Sequence, residues 1–262
     1  MNQATTKILG PCTAMLASRR FSLSRTKVLG FLDELEAANG SARSLYIASG
    51  LSHPQVEDAL KELLETPEIA ATMAELAASS ATGAVIFWGP SRKCLISPPF
   101  PIAEKYSAQG YAVEPLRALL RHDFTVAIIL VRLGAYAIGL CRGESIIASK
   151  VGTGLVHGRH KKGGSSQQRF RRHREKQIES FLNRVCCHIN EKLESQARTL
   201  DYLVYGGART TILSLRKRCP FLQQFDYRTL APLLDMPDPR QAVLEKAAKR
   251  VWLSNLVEWY GE

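Results

Sequence analysis

The chain has 262 residues, 45% of them apolar and 23% charged, enough for one large domain or two small ones around a real core. Its net charge of +11 favours an acidic partner, nucleic acid before an anionic membrane. No apolar run reaches the ~18 residues of a membrane span, Gly10 and Pro11 interrupt the only signal-like stretch, and six cysteines lack any zinc or disulfide spacing, which fits reduced thiols in a cytoplasm.

Residues 1 to about 20 are weakly patterned. Ser24 can cap a helix whose apolar stripe is Val28, Leu29, Leu32 and Leu35. Ser44 to Ala48 is a strand or part of a helix. Ser52, His53 and Pro54 open a second helix with Val56 and Leu60 on one face, and Ile69 to Ala81 continues as helix. Ala84–Trp88 and Cys94–Ser97 read as a β-hairpin around Gly89, Pro90 and Ser91. Three prolines around Phe100 forbid a helix and place a domain boundary near residue 100. The expectation is a small α+β module over residues 1–100, helical with a hairpin, and a second domain over 101–262.

In the second domain a short helix, Val113 to His122, precedes three strands: Thr125–Arg132, Ala135–Cys141 and Ile146–Val151. Ile178, Phe181, Leu182, Val185, Ile189 and Leu193 then keep helical spacing, which predicts a long helix from about Arg169 to Arg198. A strand at Tyr202–Tyr205, a turn at Gly206–Gly207, a helix at Thr210–Arg218, a strand at Leu230–Leu234 and a closing helix at Pro239–Glu258 follow. A meander succeeded by alternating helices and strands predicts an α/β fold, a mixed β-sheet flanked by helices.

Between the meander and the long helix lies the stretch that sets this chain apart. Val156 to Lys176 carries eight Lys or Arg and a single acid, Glu175, and holds +7 of the total charge. His157, His160 and His173 sit within it. Its centre is Gly163-Gly164-Ser165-Ser166-Gln167-Gln168. Little of it can enter a core, and each phosphate neutralised by such cations releases counterions. A solvated face or a localisation signal would share this charge. The three histidines suit phosphate or base contacts better than catalysis, and Phe170 suits a packing anchor at the start of the helix.

Lys162-Gly163-Gly164, followed after four residues by Arg169-Phe170-Arg171-Arg172, resembles the GGQ loop and basic helix of the eukaryotic and archaeal class-I peptide-chain release factors. The order of elements agrees with that family's central domain, over residues 105 to 260. The residue after Gly164 is Ser165 rather than glutamine. In that respect the loop is similar to the release-factor-like peptidyl-tRNA hydrolases of ribosome quality control.

That resemblance implies codon-independent hydrolysis of peptidyl-tRNA on stalled ribosomes or large subunits, in the cytoplasm and without a cofactor, metal or membrane. It implies a catalytic loop of Gly163, Gly164, Ser166 and Gln167, with Gln168 as the alternative glutamine. It further implies that water attacks the ester in the peptidyl-transferase centre. Arg159, His160, Lys161, Lys162, Arg169, Arg171, Arg172 and Arg174 would hold rRNA and tRNA phosphates. The patterns with which class-I factors read stop codons are missing from residues 1–100, and no room is expected for a GTPase-recruiting domain. A tRNA acceptor-end endonuclease and a non-catalytic ribosome-binding protein remain as alternatives. A DNA-reading helix-turn-helix is not discernible.

Overall fold

A computed structural model describes residues 17–38, 41–61, 63, 67–158 and 166–260, with the backbone alone for 67, 68, 166 and 167. They form two units. The first runs to His122 and takes back the chain from Trp252, and the second is Asp123–Val251.

The first unit holds β1 (Ala17–Leu23), α1 (Arg25–Ala37), β2 (Arg43–Ile47), α2 (His53–Lys61), α3 (Pro67–Ala78), β3 (Ala84–Trp88), β4 (Lys93–Ser97), β5 (Tyr106–Gln109) and α4 (Glu114–Arg121). Its last strand comes from the end of the chain, Ser254–Tyr260. The six strands form one antiparallel sheet, in which this last strand lies between β1 and β4, followed by β3, β2 and β5. Strand alternation sorts the side chains to two faces. Leu45, Ile47, Ile86 and Leu95 pack with Val56, Leu60, Met73 and Ala77 from α2 and α3. Tyr46, Val85, Phe87 and Ile96 pack with Val28, Leu32, Leu116 and Leu120 from α1 and α4. Buried Arg117 ties α4 to α1 through Glu36 at 2.6 Å and Asp33 at 3.0 Å, and also meets Glu114.

The second unit contains β6 (Thr125–Arg132), β7 (Ala135–Arg142), β8 (Ser145–Thr153), α5 (Ser166–Leu193), β9 (Tyr202–Gly207), α6 (Arg209–Arg218), β10 (Thr229–Leu234) and α7 (Gln241–Val251). The terminal strand of the first unit is therefore β11. Its sheet runs β10-β9-β6-β7-β8, parallel from β10 to β6 and antiparallel beyond. This is the mixed sheet flanked by helices that the sequence predicts. Ile129, Val131, Ile138 and Leu140 face Phe181, Leu182, Val185 and Ile189 of α5 and Ile212 and Leu215 of α6. On the opposite face Gly139 lets α7 come close: a Cβ there would lie 2.9 Å from a Leu244 methyl.

Three expectations need correction, and two strands have no sequence signal. The boundary is not at residue 100. Phe100 is fully buried, its ring 4.7 Å from that of Trp252, and the Thr82 hydroxyl donates to the Pro98 carbonyl at 2.7 Å. The prolines therefore lie in a packed, bent segment, not a linker. The closing helix ends at Val251, and the chain continues as β11. Val257, Trp259 and Tyr260 suit a strand, and hydrogen-bonded neighbours on both sides decide it. The edge strands β1 and β5 carry too little apolar pattern to be read in advance. Finally, Cys186 and Cys219 are joined in a disulfide, with Cα atoms 5.5 Å apart. Their separation of 33 residues has no local signature.

Near the far end of α5, Glu191 lies 3.0 Å from His188 Nδ1 and 3.1 Å from Lys192 Nζ. The His188 hydrogen bond, with Lys192 assisting, holds its carboxyl at about 2, below the ordinary 4.5. A carboxyl depressed by folding stabilises the fold above its ordinary value and loses that contribution as pH falls through the folded one. Glu191→Gln should therefore flatten the fall of Tm between pH 4.5 and about 2. A fall as steep as in the wild type would show that this carboxyl titrates normally.

Candidate functional site

The site begins where β8 leaves the sheet. The last sheet-like bond is from the Gly154 amide to the Gly134 carbonyl, 2.9 Å. Two glycines let the strand end lie against large side chains. A Cβ on Gly152 would fall 2.3 Å from the Tyr136 hydroxyl, and one on Gly154 2.6 Å from the Phe181 ring. Phe181 and Tyr136 meet edge to face at 6.1 Å, and Tyr136 stacks on His188 at 5.7 Å. The strand end is thereby seated on the middle of α5.

From there α5 extends backwards, towards its own start, well past the packed region. Its first fully buried side chain is Phe181, fifteen residues after Ser166. At 1.5 Å per residue this leaves roughly 22 Å of helix ahead of Phe181, and in that stretch partly buried Ile178 still packs on the core. Gln168, Arg169, Phe170, Arg171, Arg172, His173, Glu175 and Lys176 are all exposed. Glu175 approaches Arg171 at 3.7 Å, in a pair open to solvent. No acid occupies the first turn. Cations at the positive end of a helix do not stabilise it, but they add to a field that draws in anions.

Arg174 behaves differently from its neighbours. It is partly buried, and its Nε donates to the His157 carbonyl at 2.8 Å. The His157 amide donates to Gln177 Oε1 at 3.2 Å. The His157 and His173 rings are 6.1 Å apart. Gln177 was not among the residues singled out from sequence. It lies three places from Arg174 on one helix face, but its partner is twenty residues earlier, where no spacing rule reaches.

The predicted residues fall into three groups. Arg159, His160, Lys161, Lys162, Gly163 and Gly164 lie outside the described residues. Ser166 and Gln167 belong to the backbone of the first turn of α5. Gln168, Arg169, Arg171 and Arg172 stand on the exposed turns, and Arg174 stands at the root of the loop. Phe170 corrects an expectation: it is 58% exposed and so is not a buried anchor. It keeps the helical phase of the core stripe, but the sheet has ended before reaching it. The second glycine pair corrects another expectation: Gly206 and Gly207 are not a turn but the last two residues of β9, paired with Leu130 and Val131 of β6. Gly207 has φ of 108°, and a Cβ there would lie 2.3 Å from the Val131 carbonyl. Among the described residues no helix is long and apolar enough to cross a membrane.

Residues 124–257 match the family described as the Actinobacteria/chloroflexi VLRF1 release factor, about half of the chain. Among curated relatives, peptide chain release factor subunit 1 of Archaeoglobus fulgidus is 29% identical over 119 residues, 45% of this chain and 29% of that protein. The Aeropyrum pernix protein of the same name is 27% identical over 194 residues, 63% and 52% of the two chains. The chain thus spans between under a third and about half of these two relatives. Among solved structures, the archaeal translation termination factor aRF1 aligns over 87% of this chain and 73% of its own, with 17% identity and a TM-score of 0.37.

Proposed function

Because this chain belongs to the Actinobacteria/chloroflexi VLRF1 release factor family, we propose that it acts in translation at the ribosome, releasing nascent chains from stalled ribosomes or large subunits without reading a codon. The reaction is hydrolysis of the ester that joins peptide to tRNA. The observation that carries this reading is α5, a cationic helix whose first turns reach beyond the core, with Ser166 and Gln167 in its first turn and Gly163 and Gly164 just before it in sequence.

In this reading the loop enters the peptidyl-transferase centre. Gly163 and Gly164 permit a close backbone approach to RNA that a Cβ would obstruct. The Gln167 amide orients a water and donates to the carbonyl oxygen as negative charge develops there. The water oxygen bonds to the carbonyl carbon and the C–O bond to the ribose breaks. The departing 3′ oxygen takes up a proton released by the water. A neutral amide serves this step without bringing an ion into the site. Arg159, His160, Lys161, Lys162, Arg169, Arg171 and Arg172 hold rRNA and tRNA phosphates. The exposed ring of Phe170, set among arginines, suits stacking on a base.

The deciding experiment follows the tRNA left behind when the protein acts on ribosome–nascent-chain complexes that lack a stop codon. Ester hydrolysis is expected to leave an intact tRNA 3′ end bearing a free hydroxyl, together with a peptide acid. A tRNA shortened at its acceptor end would replace this reading with an endonuclease. Ribosome binding without release would reduce the loop to an anchor.

A further inference from the structure

We propose that Arg174 and Gln177 are positioning residues that tie the root of the loop to α5, the helix that carries Gln167, and so hold the loop's two ends in one frame. The inference rests on the hydrolase reading above and deepens it. The two side chains lie three residues apart on one face of α5 and take both backbone polar groups of the same residue. Arg174 Nε donates to the His157 carbonyl at 2.8 Å, and Gln177 Oε1 accepts from the His157 amide at 3.2 Å. The sheet's last bond to the chain is at Gly154 and partly buried Val156 still packs on the core, so this tie carries the fixed point one residue further, to His157.

The magnitudes show why that matters. Each residue of extended chain spans up to about 3.5 Å. Without the tie, about 3.5 Å of additional chain becomes free beyond Val156, at the entry to the loop. Aligning a water with an ester tolerates about 1 Å of error before rates fall by as much as ~10²-fold. The same helix that carries Gln167 thus also holds the strand that leads into the loop, and one rigid element fixes both ends. The simpler role for Arg174 is a phosphate contact like those of Arg171 and Arg172. Its partial burial and directed Nε bond set it apart from them.

Three substitutions separate the two roles. Arg174→Lys keeps the charge but loses the Nε–H. Gln177→Met keeps the length but loses the acceptor. Gln177→Glu keeps the acceptor and adds a negative charge where RNA would approach. With the factor in saturating amount over stalled complexes, Arg174→Lys and Gln177→Met should slow single-turnover release by about 10- to 100-fold, with half-saturation unchanged. Gln177→Glu should keep the saturated rate while raising half-saturation. A wild-type rate in Arg174→Lys, with weakened binding in Arg174→Met, would make Arg174 a phosphate contact and overturn the proposal.

Hydrogen exchange at the His157 amide reads the tie without any activity. Slow exchange in the wild type and Gln177→Glu, with fast exchange in Gln177→Met, supports it. Fast exchange in the wild type overturns it. Protection in a wild type that releases no peptide would support the tie while removing the hydrolase reading, so the two can fail separately.

Discussion

Replacing Gln167 by alanine is expected to slow nascent-chain release by about 10²–10³-fold, the usual effect of losing one donor to a developing oxyanion. Ribosome binding should change little, because the amide is neutral and the cations proposed to hold RNA remain. The measurement is single-turnover release from stalled complexes, with Gln168→Ala and the double variant beside it. Gln167 and Gln168 are consecutive in the first turn of α5, so the two single variants decide which of them serves the ester. Loss confined to Gln168→Ala would shift the assignment by one residue. Full rates in both single variants and in the double, with binding destroyed by reversing the charges of Arg171 and Arg172, would remove the hydrolytic role and leave a cationic anchor.

Phe181→Ala should destabilise the second unit by about 3–5 kcal/mol, the range for emptying a buried aromatic site. Phe181 is 1% exposed, packs edge to face on Tyr136 and covers Gly154. It is also the first fully buried residue of α5, so the cavity would open at the point where the helix leaves the core. The shift in the urea transition of the second unit measures this, and Phe181→Leu should recover part of the loss by filling some of the space. A loss below about 1 kcal/mol, outside the usual range for such a truncation, would mean that α5 is held by the rest of its stripe and that the seat at Phe181 is dispensable. Release activity should suffer along with stability, since the strand end that leads to the loop rests on this ring.

The helices and central strands of the second unit follow from local pattern. Ile178 to Leu193 repeats at helical spacing over several turns, and Thr125 to Arg132 is an apolar run of strand length, so burial and periodicity agree with the structure. The basic stretch is equally plain from charge, because no core could hold it. Where the structure departs from local pattern, the reasons are tertiary. Ser254 to Tyr260 becomes a strand because β1 and β4 offer it backbone partners on both sides. The proline segment around Phe100 belongs inside the first unit because Trp252, from the other end of the chain, packs on it.

At the candidate site the division is the same. Composition and spacing determined that a cationic, glycine-bearing loop joins a meander to a long helix, since charge repulsion and glycine freedom are properties of the residues themselves. Only the tertiary structure decided that Phe170 would be exposed, that Arg174 would turn back to His157, and that Gln177 would share that task. Each depends on where the sheet ends relative to the helix, a length set by packing between elements distant in sequence.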